Sequence, residues 1–400
     1  MSTPTVSMPS ALDRLERTGL GAAAVFLLAL GAGFTLDRAQ FFRSYLYGWL
    51  FWIGVAVGCL GLAMLNHLTG GLWGLVPRRL HEGAARTIPV WGVLFLPVVV
   101  GTSSLYTWAD PDVVAGDELL RHKTLYLNVP FFVARAVFYF AAWSVLGHLL
   151  SRWSHEQDTG AAPGRARRLR SLSGGGLVLL ALTTTFAAID WGMSLAPHWF
   201  STIYGAFFIV GWTLSALSLT IVLVALLSGE PPLAEAVRPV TVHDLGKLLL
   251  SFTMLWAYLN LSQGLIVWSG NLAEETPFYV HRFHDGWSWM AVALLLFHFA
   301  LPFALLLSRD LKRDARRLGA VAALMLVMRL VDLFWLIGPD LAGHGLRAVP
   351  LRVHWMDLAA AFGLGGLWLF LLARRLRSRP LLPVGEPELR ELLAGPAVPR

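Results

Sequence analysis

Long apolar stretches recur along this chain, each separated from the next by a short polar segment. A helix that crosses a membrane needs about 20 mostly apolar residues, because the hydrocarbon core is roughly 30 Å thick. Ten stretches meet this requirement, at 18–36, 45–66, 88–108, 129–150, 174–192, 203–227, 247–268, 287–307, 317–337 and 352–373. The pattern predicts an all-α polytopic membrane protein with about ten transmembrane helices.

The composition agrees with lipid as the surrounding solvent. Of the 400 residues, 56% are hydrophobic and only 14% are charged. A water-soluble domain of this size could not bury so much apolar surface in one core. Nine further spans follow the first one, and no small-residue cleavage site lies between the first span and the second. A cleaved signal peptide is therefore not expected.

Basic residues alternate from one side of the predicted spans to the other. The N-terminal tail, every second loop and the segment 374–379 after the last span contain 21 Lys and Arg residues, whereas the loops on the opposite side contain seven. An excess of Lys and Arg in short loops marks the cytoplasmic side. The net charge of +7 therefore reflects topology. Both termini are predicted in the cytoplasm, and no nucleic-acid partner is expected.

A repeat divides the chain into two halves. The second and sixth predicted spans begin with the same Ser-x2-Tyr-Gly-x2-Phe-x2-Gly spacing, at 44–54 and, 157 residues later, at 201–211. Leu-Leu-Ser-Arg ends the fourth and eighth spans at the same offset, at 149–152 and 306–309. Near their outer ends the fifth and ninth predicted spans contain Asp190 and Asp332, and each aspartate is followed by a proline seven residues later. Three features in one order indicate a duplication.

The repeat predicts two parallel four-helix bundles plus two peripheral helices. We expect 1–40 to form a cytoplasmic N-terminus and the first span, 41–199 the first bundle, 200–340 the second bundle, and 341–400 the tenth span and a cytoplasmic tail. Each copy contains four spans, so both copies have the same orientation. The Gly-, Pro- and Arg-rich segment 151–173 is predicted to be a mobile linker.

Ionisable side chains inside a span are costly and are functional candidates by default. Asp190, Asp332 and Asp357 are predicted at similar depths near the outer ends of their spans, where a carboxyl could exchange protons. Arg329 lies three residues before Asp332, on the same helical face. The two form either a structural ion pair or a site in which Arg329 tunes the acidity of an aspartate. With His298, these residues form the predicted proton path.

His298 lies near the middle of the eighth predicted span, four residues before Pro302. A proline there leaves the carbonyl of His298 without its helical partner, which predicts a kink. Two interpretations of the histidine stay open. A neighbouring carbonyl satisfies it, or it belongs to a polar pathway through the membrane.

No haem, iron–sulfur cluster or metal is predicted in this chain. Bis-His haem ligation needs two histidines on facing helices at one depth, and only His67 and His148 come close. Both lie at the cytoplasmic ends of spans, where ordinary polar roles are the better interpretation. The single Cys59 excludes a disulfide within the chain and a cysteine-ligated cluster.

An aromatic loop without Lys or Arg joins the fifth and sixth predicted spans, at 190–205. Its Trp, Phe and Tyr side chains are typical of the membrane interface, so anchoring is one interpretation. The other is a lid at which a quinone headgroup contacts Asp190 and His198. Arg135, in the fourth span, is either an interfacial anchor or a partner of Asp190. These three residues form the predicted quinone contact.

Several segments resemble the F subunit of bacterial alternative complex III. They are the loop 190–205 and the stretches 66–71, 85–87, 268–275, 297–303 and 329–335. The resemblance extends from about Phe41 to Trp368. That subunit belongs to the NrfD-like, or polysulfide-reductase membrane-subunit, superfamily, whose members contain two four-helix bundles.

The resemblance implies a subunit of a respiratory quinol oxidoreductase in the bacterial inner membrane, with a role in electron transport. Such a subunit supports quinol oxidation and is suspected of proton translocation. It binds no redox group itself, although a quinone such as menaquinone is a candidate ligand. The implied partners are a second NrfD-like membrane subunit, a multihaem cytochrome c subunit and an iron–sulfur subunit, which hold the haem and the clusters. Asp190, His298, Arg329 and Asp332 match positions in the family's motifs.

Two other function classes stay open at this point. A secondary transporter also fits ten helices with charges inside the membrane, but transporters favour broken helices at corresponding positions of the two repeats, and no Gly/Pro-interrupted pair stands out. The third class is a structural scaffold of the complex. Copurification with a haem protein supports the respiratory subunit or the scaffold, and solute movement by the isolated chain in liposomes supports the transporter.

Overall fold

The computed structural model describes residues 10–159, 164–343 and 349–394, and most of them are helical. Ten helices are long and apolar enough to cross a membrane, which confirms the predicted all-α polytopic fold. They are α1 (Ser10–Leu36), α2 (Arg38–Thr69), α3 (Arg78–Val100), α4 (Val129–Thr159), α5 (Arg165–Trp191), α6 (Tyr204–Leu227), α7 (Pro239–Gly270), α8 (Trp287–Leu307), α9 (Ala315–Gly343) and α10 (Trp355–Arg377).

Several helices extend past the apolar stretches that predicted them. α4 continues to Thr159 and α5 begins at Arg165, so the prediction of a mobile linker at 151–173 is wrong for the described residues, which are mostly helical. Residues 160–163 of the predicted linker lie outside the described part of the chain. Arg, Glu and Gln are good helix formers, whereas hydropathy reports only the part of a helix that lies in lipid. The predicted spans therefore mark the membrane crossings and not the helix ends.

α3 differs most from its prediction, because it begins at Arg78 and is interrupted. Its helical pieces are Arg78–Ala85, Ile88–Val93 and Leu96–Val100, and the last two carry Pro89 and Pro97 in their second positions. A proline has no N–H to donate to the preceding turn, so each one breaks the hydrogen-bond ladder. The corresponding helix of the second repeat, α7, is continuous, so the interruption is not duplicated.

Ten crossings return the chain to the side from which it starts. We term the side on which α1 begins and α10 ends the N-terminal side, and the opposite side the far side. The loop 190–205 between α5 and α6 lies on the far side, as do the beginnings of α2 and α10. The two sides provide a common scale of depth for the polar residues.

The helices form two rings of four. In the first ring α2 contacts α3, α3 contacts α4, α4 contacts α5, and α5 contacts α2. Helices α6 to α9 form the second ring in the same order. The two rings meet where α2 packs against α6. On one side of this contact α5 of the first ring packs against α6 of the second, and in the equivalent position α9 of the second ring packs against α2 of the first. This is the arrangement expected of two parallel four-helix bundles related by an axis along the membrane normal.

The terminal helices pack against each other outside the two rings, and α10 lies on the surface of α2. Their backbones approach closely at small residues. A Cβ built on Gly366 would lie 2.5 Å from the backbone nitrogen of Ala23, and one built on Gly19 would lie 2.9 Å from the carbonyl oxygen of Gly366. Small residues favour such contacts in membranes, where no hydrophobic force drives helices together.

The central helices, α2 and α6, are the most enclosed part of the fold. In their most apolar windows, 89% and 83% of the residues are buried, which explains why both helices are apolar on all faces. A Cβ on Gly54 or Gly58 would overlap Trp212 of α6, at its ring and at its backbone oxygen respectively. Gly211 is the residue that the repeat aligns with Gly54, and a Cβ on Gly211 would overlap the guanidinium group of Arg329 of α9.

The chain after α10 packs on the N-terminal side. Glu386 forms an ion pair with Arg78, and the helix Pro387–Ala394 buries Leu389 in a small apolar cluster. That cluster contains Leu75, from the connection between α2 and α3, and Ala236, from the connection between α6 and α7. The tail therefore links the ends of the two bundles.

The close contact of α2 and α6 predicts the effect of a single added methyl group. We expect Gly58→Ala to destabilise the protein by about 1–3 kcal/mol, the usual cost of overpacking. The added methyl group would overlap the backbone oxygen of Trp212, which cannot move aside as the end of a side chain can. Thermal unfolding in mild detergent measures the effect as a lower melting temperature. Gly21→Ala is the control, since nothing lies within 4 Å of its added Cβ. Equal melting temperatures of the two variants would contradict the packing role of Gly58.

Candidate functional site

A charged pair lies in the interior of the second bundle. Arg329 of α9 donates through Nη1 to Oδ2 of Asp332, and Trp256 of α7 donates through Nε1 to Oδ1 of the same carboxylate over 3.1 Å. Arg329 also donates through Nε to Ser215 of α6 over 3.4 Å. Both charged side chains are buried, with 6% and 9% of their surfaces exposed. Three helices therefore meet at one ion pair.

His298 joins this cluster from α8. It is completely buried, and its ring centre lies 4.0 Å from that of Trp256. Neither ring nitrogen has a hydrogen-bond partner among the described residues, so no carbonyl satisfies this histidine. It lies in a π-helical segment, Leu294–Ala300, which ends two residues before Pro302. The irregularity expected at His298 is thus a widened turn, a feature that is frequent at functional sites.

The prediction that Asp332 lies near the outer end of its helix is wrong. α9 continues for eleven residues beyond Asp332, to Gly343, which corresponds to about 16 Å of helix. Asp190 lies one residue before the end of α5, and Asp357 lies in the first turn of α10. Asp332 is therefore well inside the membrane, and the other two carboxylates are near the far side.

α9 continues because Pro339 does not end it. The proline removes the N–H that would bond the carbonyl of Trp335, and its ring crowds the preceding turn. Arg282, from the segment before α8, donates to the carbonyl of Trp335 over 3.1 Å and to that of Leu336 over 2.5 Å. A membrane helix tolerates proline where neighbouring groups satisfy the freed carbonyls. This compensation comes from another segment, so hydropathy could not reveal it.

The same arginine pairs with an aspartate that the sequence analysis missed. Arg282 is completely buried, donates to Oδ2 of Asp340 over 2.5 Å, and lies 3.5 Å from the ring centre of Phe278. Asp340 lies three residues before the end of α9, so it matches the depth of Asp190. The sequence did contain one indication of this residue: Asp340 lies eight residues after Asp332, which is about two helical turns and so places both aspartates on a similar face of α9.

Asp190 and Arg135 form a bidentate pair at the far side of the first bundle. Arg135 donates through Nε to Oδ2 over 2.9 Å and through Nη2 to Oδ1 over 2.8 Å. Tyr139 donates its hydroxyl to Oδ2 over 2.9 Å, and the ring of Tyr126 lies 3.8 Å from the guanidinium carbon. Of the two interpretations of Arg135, the partner of Asp190 is the one observed. Asp190 is completely buried, and its charge is fully compensated.

His198 is not part of that pair. Its Nε2 lies 2.7 Å from Oδ2 of Asp117, and Lys123 from the same segment donates to the carbonyl of Pro197 over 2.6 Å. The pKa of Asp117 is lowered, mainly by the backbone N–H of Leu120 and also by the hydrogen bond with His198. The segment 117–123 thus fastens the aromatic loop 190–205, and Asp190 and His198 belong to different hydrogen-bonded groups.

Asp357 connects α10 to α2. Its Oδ1 accepts from the hydroxyl of Ser44 over 2.5 Å and from the amide of Gln40 over 3.3 Å, and its Oδ2 accepts from the backbone N–H of His354 over 2.8 Å. Of the predicted proton-path residues, the structure therefore brings only three together, namely His298, Arg329 and Asp332. Asp190 and Asp357 lie in separate groups.

A cavity of about 920 Å³ lies next to the cluster, between α7 and α8. Apolar side chains form most of its wall, including Leu294 and Phe299, and Asn260 is one of its few polar groups. Trp256 is one of the residues that line the cavity, and its Nε1 bonds to Asp332. Pockets of this size and character bind organic ligands. Trp256 thus separates a ligand-sized space from the buried ion pair.

Trp256 and Tyr139 carry no sequence signal of these roles. Aromatic residues are common in membrane helices, and only packing decides which of them brings a polar atom to a carboxylate. Among the residues that the structure describes, no group of three or more His, Cys, Asp or Glu side chains is placed to hold a metal ion.

The Arg135–Asp190 pair predicts a strongly non-additive mutant cycle. Asp190→Asn or Arg135→Gln alone leaves a buried charge without its partner, at an expected cost of about 3–5 kcal/mol. The double variant removes both charges and should be less destabilised than the sum of the single variants. Thermal unfolding of the four proteins in detergent measures the coupling. Additive losses of stability would show that the two charges do not depend on each other.

The lowered pKa of Asp117 predicts how acid affects the aromatic loop. A carboxylate with a lowered pKa in the folded state contributes stability above its ordinary value of 3.8 and loses it as the pH falls through the lower, folded value. Hydrogen–deuterium exchange, corrected for intrinsic rates, should show protection of 193–203 that is constant near neutral pH and declines only below about pH 4. Asp117→Asn should reduce this protection and abolish its acid step, whereas the exposed Asp112→Asn should do neither. An unchanged acid step in the Asp117 variant would rule out this anchoring.

No protein-family model matches this chain, and no curated protein matches it either. Fold alone does not define function, since one helical architecture supports many activities. The function therefore has to be argued from the side chains of this chain, above all from the cluster around Asp332 and the cavity beside it.

Proposed function

We propose that this integral membrane protein is a quinone-binding subunit of a respiratory quinol oxidoreductase of the alternative complex III type. In this proposal the cavity between α7 and α8 receives the quinol, and the cluster behind Trp256 handles its protons. The observation that carries the proposal is the placement of Trp256, which lines the cavity and whose indole N–H is bonded to the buried carboxylate of Asp332.

The cavity suits a quinone because it is mostly apolar and its rim is open to lipid. Tyr258, Leu261 and Trp268 line it and remain 65%, 64% and 79% exposed. An isoprenoid tail can therefore lie along α7 while the ring enters between the helices. Asn260, whose amide nitrogen is bonded to the carbonyl of Trp256 over 2.9 Å, leaves its side-chain oxygen to accept a hydrogen bond from a quinol hydroxyl.

Proton transfer is the chemistry that the cluster can perform. Oxidation of a quinol to a quinone releases two electrons and two protons, and a positioned base accelerates the loss of each proton. His298 has two ring nitrogens without partners, and Asp332 is a carboxylate whose charge Arg329 balances. Trp256 donates but does not accept, so it cannot relay a proton itself. Its ring has to move aside for a quinol to reach Asp332, which makes it the gate of the site.

The remaining parts of the proposal rest on the distribution of charge and on the sequence resemblance. The excess of Lys and Arg supports a cytoplasmic N-terminal side, so that the far side faces outward across a bacterial inner membrane. Electrons leave through partner subunits, which in alternative complex III hold the haem and iron–sulfur groups. The loop 190–205 and the Arg135–Asp190 pair then anchor the first bundle at the outer interface.

Substitution of Asp332 tests the proposal in the complete purified complex. Asp332→Asn leaves Arg329 buried without its partner, so we expect a lower melting temperature of the complex. In the complex that assembles, we expect the rate of quinol oxidation to fall by about 10²-fold, the lower range for loss of a general base, and the associated proton uptake or pumping to be lost. The exposed Asp112→Asn is the control. Stopped-flow absorbance and a pH indicator in liposomes measure the two activities. Normal coupling and a normal pH–rate profile in a stable Asp332→Asn complex would reject the proposal.

Substitution of Trp256 tests the gate separately. Trp256→Phe keeps an aromatic ring but loses the hydrogen bond to Asp332, so we expect the KM for quinol and the pH–rate profile to change together. Trp289→Phe is the matched control, because Trp289 lies on α8 with 76% of its surface exposed and does not line the cavity. Equal kinetics of the two variants would exclude Trp256 from the site, and solute transport by the chain alone would favour a transporter.

A further inference from the structure

A second cavity, of about 500 Å³, opens at the far side between α2, α9 and α10. Helices α9 and α10 both pack on α2 but have few contacts with each other, so the surface of α2 forms the floor of a gap between them. The proposed quinol chemistry does not use this space. Its wall includes Arg43 and Tyr47 of α2, Phe334 and Leu341 of α9, and Arg352 and His354 of the segment before α10.

The wall of the cavity carries a net positive charge. Neither Arg43 nor Arg352 forms an ion pair or a hydrogen bond with any residue that the structure describes, and the Nε of Arg43 is buried without an acceptor. The carboxylate in the wall, Asp357, accepts hydrogen bonds on both of its oxygens from neighbouring protein groups. It therefore holds the wall together and forms no ion pair with either arginine. One carboxylate beside two guanidinium groups leaves the wall with one net positive charge.

An anion with several oxygen acceptors satisfies this arrangement best. A buried guanidinium nitrogen without an acceptor is unfavourable, and two guanidinium groups bind a phosphate through charge-assisted, often bidentate, hydrogen bonds. A zwitterionic headgroup fits less well, because its ammonium would lie beside two arginines and find no free carboxylate. The charge balance therefore favours a ligand with a net negative phosphate headgroup.

The rest of the wall and its depth indicate where this ligand comes from. Trp287 and Phe334 stack on each other and line the cavity together with Leu341, which gives an amphiphile an apolar surface next to the arginines. Arg43 lies near the beginning of α2, and Asp357 lies in the first turn of α10, so the cavity is at the level of the lipid headgroups. A free phosphate ion would not need the apolar wall.

We propose that this cavity binds the phosphate headgroup of an anionic phospholipid from the far-side leaflet, with Arg43 and Arg352 as its ligands. The lipid fills the gap between α9 and α10 and joins the second bundle to the terminal helix pair. This site is independent of the quinone site.

Native mass spectrometry of the purified protein with added phosphatidylglycerol or phosphatidylcholine tests the site. We expect the wild type to retain one phosphatidylglycerol about tenfold more strongly than phosphatidylcholine, as one additional charge-assisted contact would give. The double variant R43Q/R352Q should lose this preference. Arg38→Gln is the matched control, because Arg38 is at the same end of α2 but lies over Phe34. Equal retention by the wild type and the double variant would overturn the site.

Two further measurements remove the remaining ambiguity. Inorganic phosphate is the probe for a soluble ligand: phosphate binding that depends on both arginines, without retention of phosphatidylglycerol, would overturn the lipid assignment. The variant R43K/R352K keeps both charges but loses the planar guanidinium groups, so a partial loss of preference is expected. If R43Q/R352Q does not fold, R43K/R352K replaces it in the mass-spectrometry test. Full retention of the phosphatidylglycerol preference by R43K/R352K would contradict bidentate binding.

Discussion

A bilayer offers no water inside it, so each polar group within a span of this protein has to find its partner in the protein itself. Arg282 shows how far this constraint reaches. It satisfies two carbonyls near Pro339 and also pairs with Asp340, which allows α9 to continue past a proline. The pairs Arg135–Asp190 and Arg329–Asp332 meet the same requirement with partners from their own surroundings. The buried ion pairs thus lie between packed helices, and the pair that includes Arg282 also satisfies the carbonyls that Pro339 leaves without partners in α9.

Each of the two ligand-sized cavities lies beside a side chain with at least one buried nitrogen atom that lacks a hydrogen-bond partner. His298 has two ring nitrogens without partners and contacts Trp256, which lines the cavity of about 920 Å³. Arg43 has an unpartnered Nε and lines the cavity of about 500 Å³. A ligand, an ion or a proton can complete a buried polar group that has no partner in the protein. This correspondence unites the two proposed sites, although one serves chemistry and the other serves packing.

The duplication repeats the scaffold but not all of its charges. Asp190 and Asp340 lie near the far-side ends of corresponding helices, and each has a buried arginine as its partner. Eight residues earlier, α9 has Asp332, whereas α5 has Leu182, which is 56% exposed. The π-helical turn of α8 likewise has no equivalent in α4, which is α-helical throughout. The two bundles therefore share their architecture, and the interior ionisable cluster belongs to the second one.

The sequence by itself determined the number of spans, their order and the two-bundle plan, because lipid requires long apolar helices and a repeat keeps its spacing. It also indicated the Arg329–Asp332 pair, whose members are neighbours on one helix. Only the tertiary structure decided the depth of Asp332, the partner of Arg135 and the surroundings of His298. Each of these depends on a side chain that comes from a distant part of the chain, such as Arg282, Asp190 or Trp256. Hydropathy reports transfer into lipid one residue at a time and contains no information on such partners.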